Sequence, residues 1–149
     1  MALLIPPNNV SAGQSGHITH HDEIGSLLAQ YMQIQATTGV TGFALQNATP
    51  TVLTWAVPND GNLHRVMIIG AVVVTSNQTG GNINSSWTPP SGSAHNANIF
   101  TGGQTTGTYG LNSVTSQFAT IGPNTTVTVT QSSAQSAGAA TLWCEIWGS

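Results

Sequence analysis

Between Leu63 and Thr75 the chain reads LHRVMIIGAVVVT, and this run restricts the possible folds more than any other segment. From Val66 to Val74 every residue except Gly70 is apolar, and six of the nine are β-branched (Val66, Ile68, Ile69, Val72, Val73, Val74). The run is far shorter than the ~20 apolar residues a membrane-spanning helix needs. Crowded β-branched side chains and flanking turn formers predict a strand. A strand apolar on both faces has to be covered on both faces. In a chain of 149 residues one face can meet the core of a sandwich. The other is expected to meet a second subunit. The run therefore predicts the central strand of a β-sandwich that also assembles.

Composition narrows the partners. Charged residues make up 3% of the chain, against ~25% in ordinary domains. There is no lysine, and Arg65 is the single side chain that is cationic throughout the neutral range. Neutralising phosphates takes several Lys or Arg, so nucleic acid is not an expected partner, and neither is an anionic membrane surface. Apolar content of 39% with four Trp argues against disorder. Copies carrying little charge repel one another less when packed side by side on a scaffold. Equally, Thr and Asn simply suit exposed strands and loops. Cys144 is the sole cysteine, so no intrachain disulfide can form. Its apolar strand context predicts a small buried hydrophobe. The opening MALLIPPNNV has no basic stretch and reads as no signal peptide, which predicts synthesis and assembly in a cytoplasm.

Three segments follow one another. Residues 1–18 hold Leu3, Leu4 and Ile5 ahead of Pro6-Pro7 and a Ser/Gly/Asn linker. They read either as an extended arm that docks in a groove of a neighbour or as a frayed terminus. Residues 19–42 read as one short α-helix with its linker. Thr19 and Asp22 resemble a capping box, and Ile24, Leu27, Tyr31 and Ile34 are spaced as a short a/d seam. Two heptads cannot hold a coiled coil alone, so this seam packs on the sandwich or makes a subunit contact. Residues 43–149 carry short strands between Gly, Pro and Asn turns, the pattern of an all-β antiparallel β-sandwich of jelly-roll type. In the last of these strands Ala140, Leu142, Cys144 and Ile146 share one face. Trp143 and Trp147 share the other, which is either a subunit interface or covered by the helix.

The residues offer little chemistry. The four carboxylates, Asp22, Glu23, Asp60 and Glu145, form no dyad, and no nucleophile elbow, phosphate loop or calcium loop occurs. The expectation is no enzyme and no cofactor. His17, His20 and His21 beside Asp22 are the one ligand-like cluster. Their spacing fits no standard metal site, and capping or hydrogen bonding explains them more simply. Trp87, in NSSWTPPSG, is a candidate glycan contact through ring stacking, or else a lid on one end of the core.

Three stretches carry a family resemblance. GHITHHDEI, with Gly16, His17 and His21, resembles the Gly-His-x-x-x-His segment near the start of virion proteins of tailed phages infecting actinobacteria. Trp55 through Val74 is similar to the strand-turn-strand of small phage jelly rolls and of the trimeric tumour-necrosis-factor-like and C1q-like modules. TLWCEIW resembles their closing strand. The resemblance implies a homotrimeric virion component made in the bacterial host cytoplasm. It would be a capsid decoration protein on the major capsid protein, or a minor tail or receptor-binding protein, and no catalytic residues carry over.

Overall fold

The computed structural model describes residues 32–112 and 119–149. The chain divides after Met32, and Gln33–Ser149 is the unit described below. Its strands are β1 (Gln33–Thr37), β2 (Phe43–Ala44), β3 (Thr51–Ala56), β4 (His64–Gly80), β5 (Ile83–Trp87), β6 (His95–Phe100), β7 (Gly107–Gly110), β8 (Ala119–Ile121), β9 (Thr126–Gln131) and β10 (Gln135–Gly148). No helix occurs among the described residues.

The apolar run forms the first part of β4, a strand of 17 residues. It is central. β10 lies along one edge, and β7 and β8 share the other. One sheet has the order β1-β10-β4-β7, with β2 also on β10 and β8 on β4; the second has the order β3-β9-β5-β6. All pairings are antiparallel. The chain passes repeatedly between the two sheets, so strands adjacent in a sheet are mostly distant in sequence. β10 meets β4 roughly seventy residues away, and the fold closes only when the last strand is in place.

Alternation along each strand decides what is inside. Val66, Ile68, Val72 and Val74 of β4 point inward at 0–1% exposure, facing Val127 and Val129 of β9 and Ile83 of β5 in the same core. In β9 the Thr residues between those valines turn outward, as a half-buried strand requires. Leu142, Cys144 and Ile146 complete the core from β10. At about 25 cal/mol per Å² of apolar surface removed from water, this double layer is the main source of stability. One buried polar side chain is fully used. Gln131 donates through Nε2 to the carbonyls of Gln46 and Ser133 and accepts the Gln46 N–H at Oε1, tying the β2–β3 connection to the core.

Turn chemistry sets the strand ends. Pro58 follows β3, and the Asn124 N–H donates to its carbonyl, so the β3–β4 and β8–β9 turns touch. Asn124 there has φ 54, a left-handed conformation Asn tolerates. Gly80 ends β4 at φ 77, where a Cβ would lie 2.1 Å from the Ala134 carbonyl oxygen. The backbone therefore turns at a place open to glycine alone.

Two expectations change, and one left open is resolved. The helix was expected to run through Ile34, but Gln33–Thr37 is a strand paired with β10. Ile34 lies opposite Trp147 on that strand, so it is no part of a helical seam, and the sheet begins ten residues earlier than position 43. Ser76 to Gly81 was expected to be a turn, yet β4 continues to Gly80. Its polar residues stay paired with β10 through irregular register, and buried Gln78 donates to Gln135 Oε1 at 3.0 Å. The Gly/Thr segment 102–110, open between loop and edge, supplies β7 at the edge of β4. Residues 19–31, with Ile24, Leu27 and Tyr31, lie outside the described residues.

Candidate functional site

The outer face of the first sheet is the surface most unlike an ordinary protein exterior. Because β4 is apolar at successive positions, burying Val66, Ile68 and Val72 inside forces Met67, Ile69, Ala71 and Val73 to the outside. β10 does the same with Thr141, Trp143, Glu145 and Trp147. The register sets Trp147 opposite Met67, Glu145 opposite Ile69, Trp143 opposite Ala71 and Thr141 opposite Val73. These outward positions are partly buried, unlike their inward neighbours, which are closed off. β1 extends the patch through Ile34, 47% exposed and opposite Trp147.

The indole N–H groups on this face are already engaged within the chain. The Trp147 Nε1–H donates to Glu145 Oε2 at 2.7 Å, and the Trp143 Nε1–H donates to the Val40 carbonyl at 3.4 Å. Both indoles therefore offer apolar ring surface and have no N–H left over. The β1–β2 turn is anchored beside them. The Thr38 N–H donates to the Cys144 carbonyl, and Thr38 Oγ1 accepts the Cys144 N–H, both at 3.0 Å. Gly42 lets this turn approach, since a Cβ there would lie 2.8 Å from the Trp143 ring. Between the turn and the sheet runs a groove of about 300 Å³ lined by Thr37, Thr38, Ile69, Ala71, Trp143 and Glu145.

This face offers apolar contact surface, and the thiol beneath it is closed off. Cys144, which borders the groove through β10, is 2% exposed. Burial first, and the neighbouring Glu145 charge second, push its thiol up to about 12, so it is not a thiolate nucleophile. Among the described residues no three His, Cys, Asp or Glu side chains gather as a metal site. No helix among them is long and apolar enough to cross a membrane.

The expected site residues fare differently. Trp143 and Trp147 share the outer face. Ile34 joins them from a strand, where a helix was expected. Trp87 does not reach the surface: it is 5% exposed, and its ring lies 4.1 Å from that of His95. A ring closed over the core in this way is not free to stack on a sugar, so the glycan-contact reading of Trp87 is withdrawn. Leu3, Leu4 and Ile5, the seam residues Ile24, Leu27 and Tyr31, and His17, His20 and His21 lie outside the described residues. Sequence reasoning missed His64. It is buried at 6% exposure, with Nε2 3.0 Å from Asp60 Oδ1 and Nδ1 against the backbone oxygen of Ser149. The Asp60 contact, four residues back in a turn, was a usable signal; the Ser149 contact, from the far end of the chain, was not.

No protein-family model matches the chain, and no curated protein matches it. Among solved structures it is similar to a chain in the structure of infectious bursal disease virus, Gx strain. The identity is 14%, with a TM-score of 0.35 over 79% of this chain and 32% of that one. This chain thus spans about a third of the length of the viral chain.

Proposed function

We propose that this chain is a virion structural protein, a capsid decoration protein that sits on the head surface as a homotrimer. The observation that carries the reading is the outer face of the first sheet. Met67, Ile69, Val73, Trp143 and Trp147 form an apolar patch with both indole N–H groups already bonded, which suits a protein–protein contact. The occupant we assign to it is a sister chain, the neighbour around the three-fold axis. Fold-level analogy points the same way: we read the order β1-β10-β4-β7 over β3-β9-β5-β6 as a jelly roll, an architecture found in viral capsid domains. Such analogy also covers lectins, and the apolar patch is what favours the assembly reading.

The rest of the assignment follows from composition. A single Lys or Arg in 149 residues suits dense packing of copies and does not suit nucleic acid or anionic membrane. We read the protein as non-enzymatic, with the major capsid protein as partner and Leu3, Leu4 and Ile5 as the docking arm. Bound copies would stabilise the shell by mass action. The rival, a tail or receptor-binding module gripping glycan, loses its ring platform with Trp87 inside the core.

Electron cryo-microscopy of particles carrying this chain tests the proposal. The expected result is three-fold density for the sandwich distributed over the head, lost when residues 1–10 are deleted while the purified protein still folds. Density confined to the tail tip would overturn it, as would unchanged attachment of the deletion variant for the arm.

A further inference from the structure

We infer that Arg65 of one chain seats in the Trp143–Glu145 groove of its neighbour, as an ion pair that fixes how copies meet. This pairing rests on the proposed assembly and names the contact that sets its register. Glu145 stands on the outer face of β10 between Trp143 and Trp147, opposite Thr37 of β1 and Ile69 of β4, all of them neutral. Its Oε2 accepts the Trp147 Nε1–H at 2.7 Å, and its Oε1 accepts no hydrogen bond from a described residue. Among the described residues the ion pair is His64 with Asp60, and Glu145 belongs to none. A half-buried carboxylate thus keeps an open oxygen beside an indole ring, in the groove of about 300 Å³ that Trp143 and Glu145 line together.

Covering this face with a second chain takes Glu145 out of water, and a buried carboxylate left without a counter-charge is strongly unfavourable. The covering chain therefore has to bring a cation. With one Lys or Arg in 149 residues, a sister chain has a single fixed cation to bring, Arg65. Arg65 is exposed and stands on the same outer face of β4, in line with Met67 and Ile69. Within one chain the two are not neighbours. Arg65 comes four positions before Ile69, the residue opposite Glu145, about 13 Å along the strand at ~3.3 Å per residue. Between chains that separation makes the contact directional. Each copy offers Arg65 at one place and Glu145 at another, a head-to-tail contact that can close into a ring of three. A guanidinium suits the groove, since its planar fork presents paired N–H donors to a carboxylate and its face stacks on an indole. Set against a ring and shielded from water, one such pair is screened little by salt, and the contact stays chiefly apolar.

Sedimentation equilibrium of the full chain, wild type beside Arg65→Gln, Glu145→Gln and the double variant, tests the pairing. A glutamine at 145 still accepts the Trp147 N–H, so the charge alone is lost. Each single variant is expected to weaken self-association at least about tenfold. The double variant should lose no more than either single one, the sign of two residues in one contact. The exchange Arg65→Glu/Glu145→Arg should recover most of the association that either reversal alone abolishes, and it decides the matter if a glutamine variant folds poorly. Unchanged association in both single variants, losses that multiply in the double variant, or an exchange that recovers nothing would overturn the pairing and leave the assembly in place. Loss with Glu145→Gln but not with Arg65→Gln would give the groove a different cation and overturn it too. A wild type that never associates would fail the assembly itself, and the pairing with it.

Discussion

Cys144 and Asp60 are residues whose chemistry is set by where the fold leaves them. Cys144 alternates inward with Leu142 and Ile146, and its thiol is pushed up to about 12. It should therefore resist a disulfide reagent in the native protein and react stoichiometrically once guanidinium unfolds it. Prompt native labelling would contradict its burial. Asp60 behaves in the opposite sense. Its carboxyl is lowered from 3.8 to about 2 by the Asn62 hydrogen bonds and by His64. The folded state therefore binds fewer protons there, and its contribution is present above the unfolded value and lost as pH falls from about 4 to about 2. Melts of wild type and Asp60→Asn should converge at the acid end of that window and separate above it. At this scale the sequence was half readable. The burial of Cys144 follows from alternation alone, whereas Ser149, the second partner of His64, lies 85 residues away and carries no local sign.

At the scale of elements, β4 shows how one strand serves two environments. Ile68 and Ile69 are adjacent and chemically identical, yet one is 1% exposed in the core and the other faces outward. Ile68→Ala should destabilise the fold by about 2–5 kcal/mol, the usual cost of such a cavity. Ile69→Ser should leave a monomer's stability within about 0.5 kcal/mol and weaken self-association instead. Denaturant titration beside sedimentation separates the two, and equal destabilisation by both would deny that the outer face is outer. The extended run in β4 was legible because β-branched content and turn formers agreed. β1 was not. In MQIQAT the seam ending at Ile34 and the alternation of Ile34 with Ala36 overlap, and local pattern cannot rank them. Pairing with β10 from the other end of the chain decides for the strand. The continuation of β4 to Gly80 was hidden for the same reason, since Ser, Asn and Gln read as a turn until β10 supplies their partners.

For the whole molecule, a near absence of charge and an apolar sheet face suit the proposed assembly, in which copies would meet through buried surface. Screening then has little to act on. Self-association should change less than about threefold between ~0.1 and ~1 M salt, and a steep loss would place the contact among the few charges. The two-sided apolar run already announced an apolar outer face, and the Trp143 and Trp147 alternation placed those rings on it. What the sequence withheld was its shape, because the groove is made by the β1–β2 turn closing on Trp143 across more than a hundred residues. The central claim is that β4 is sealed on one side by its own sandwich and on the other by sister chains. Sedimentation equilibrium of the wild type against Ile69→Ser/Trp143→Ser measures it directly. The account predicts the mass of three chains for the wild type and of one folded chain for the variant; a wild type that stays a single chain at every concentration would contradict it.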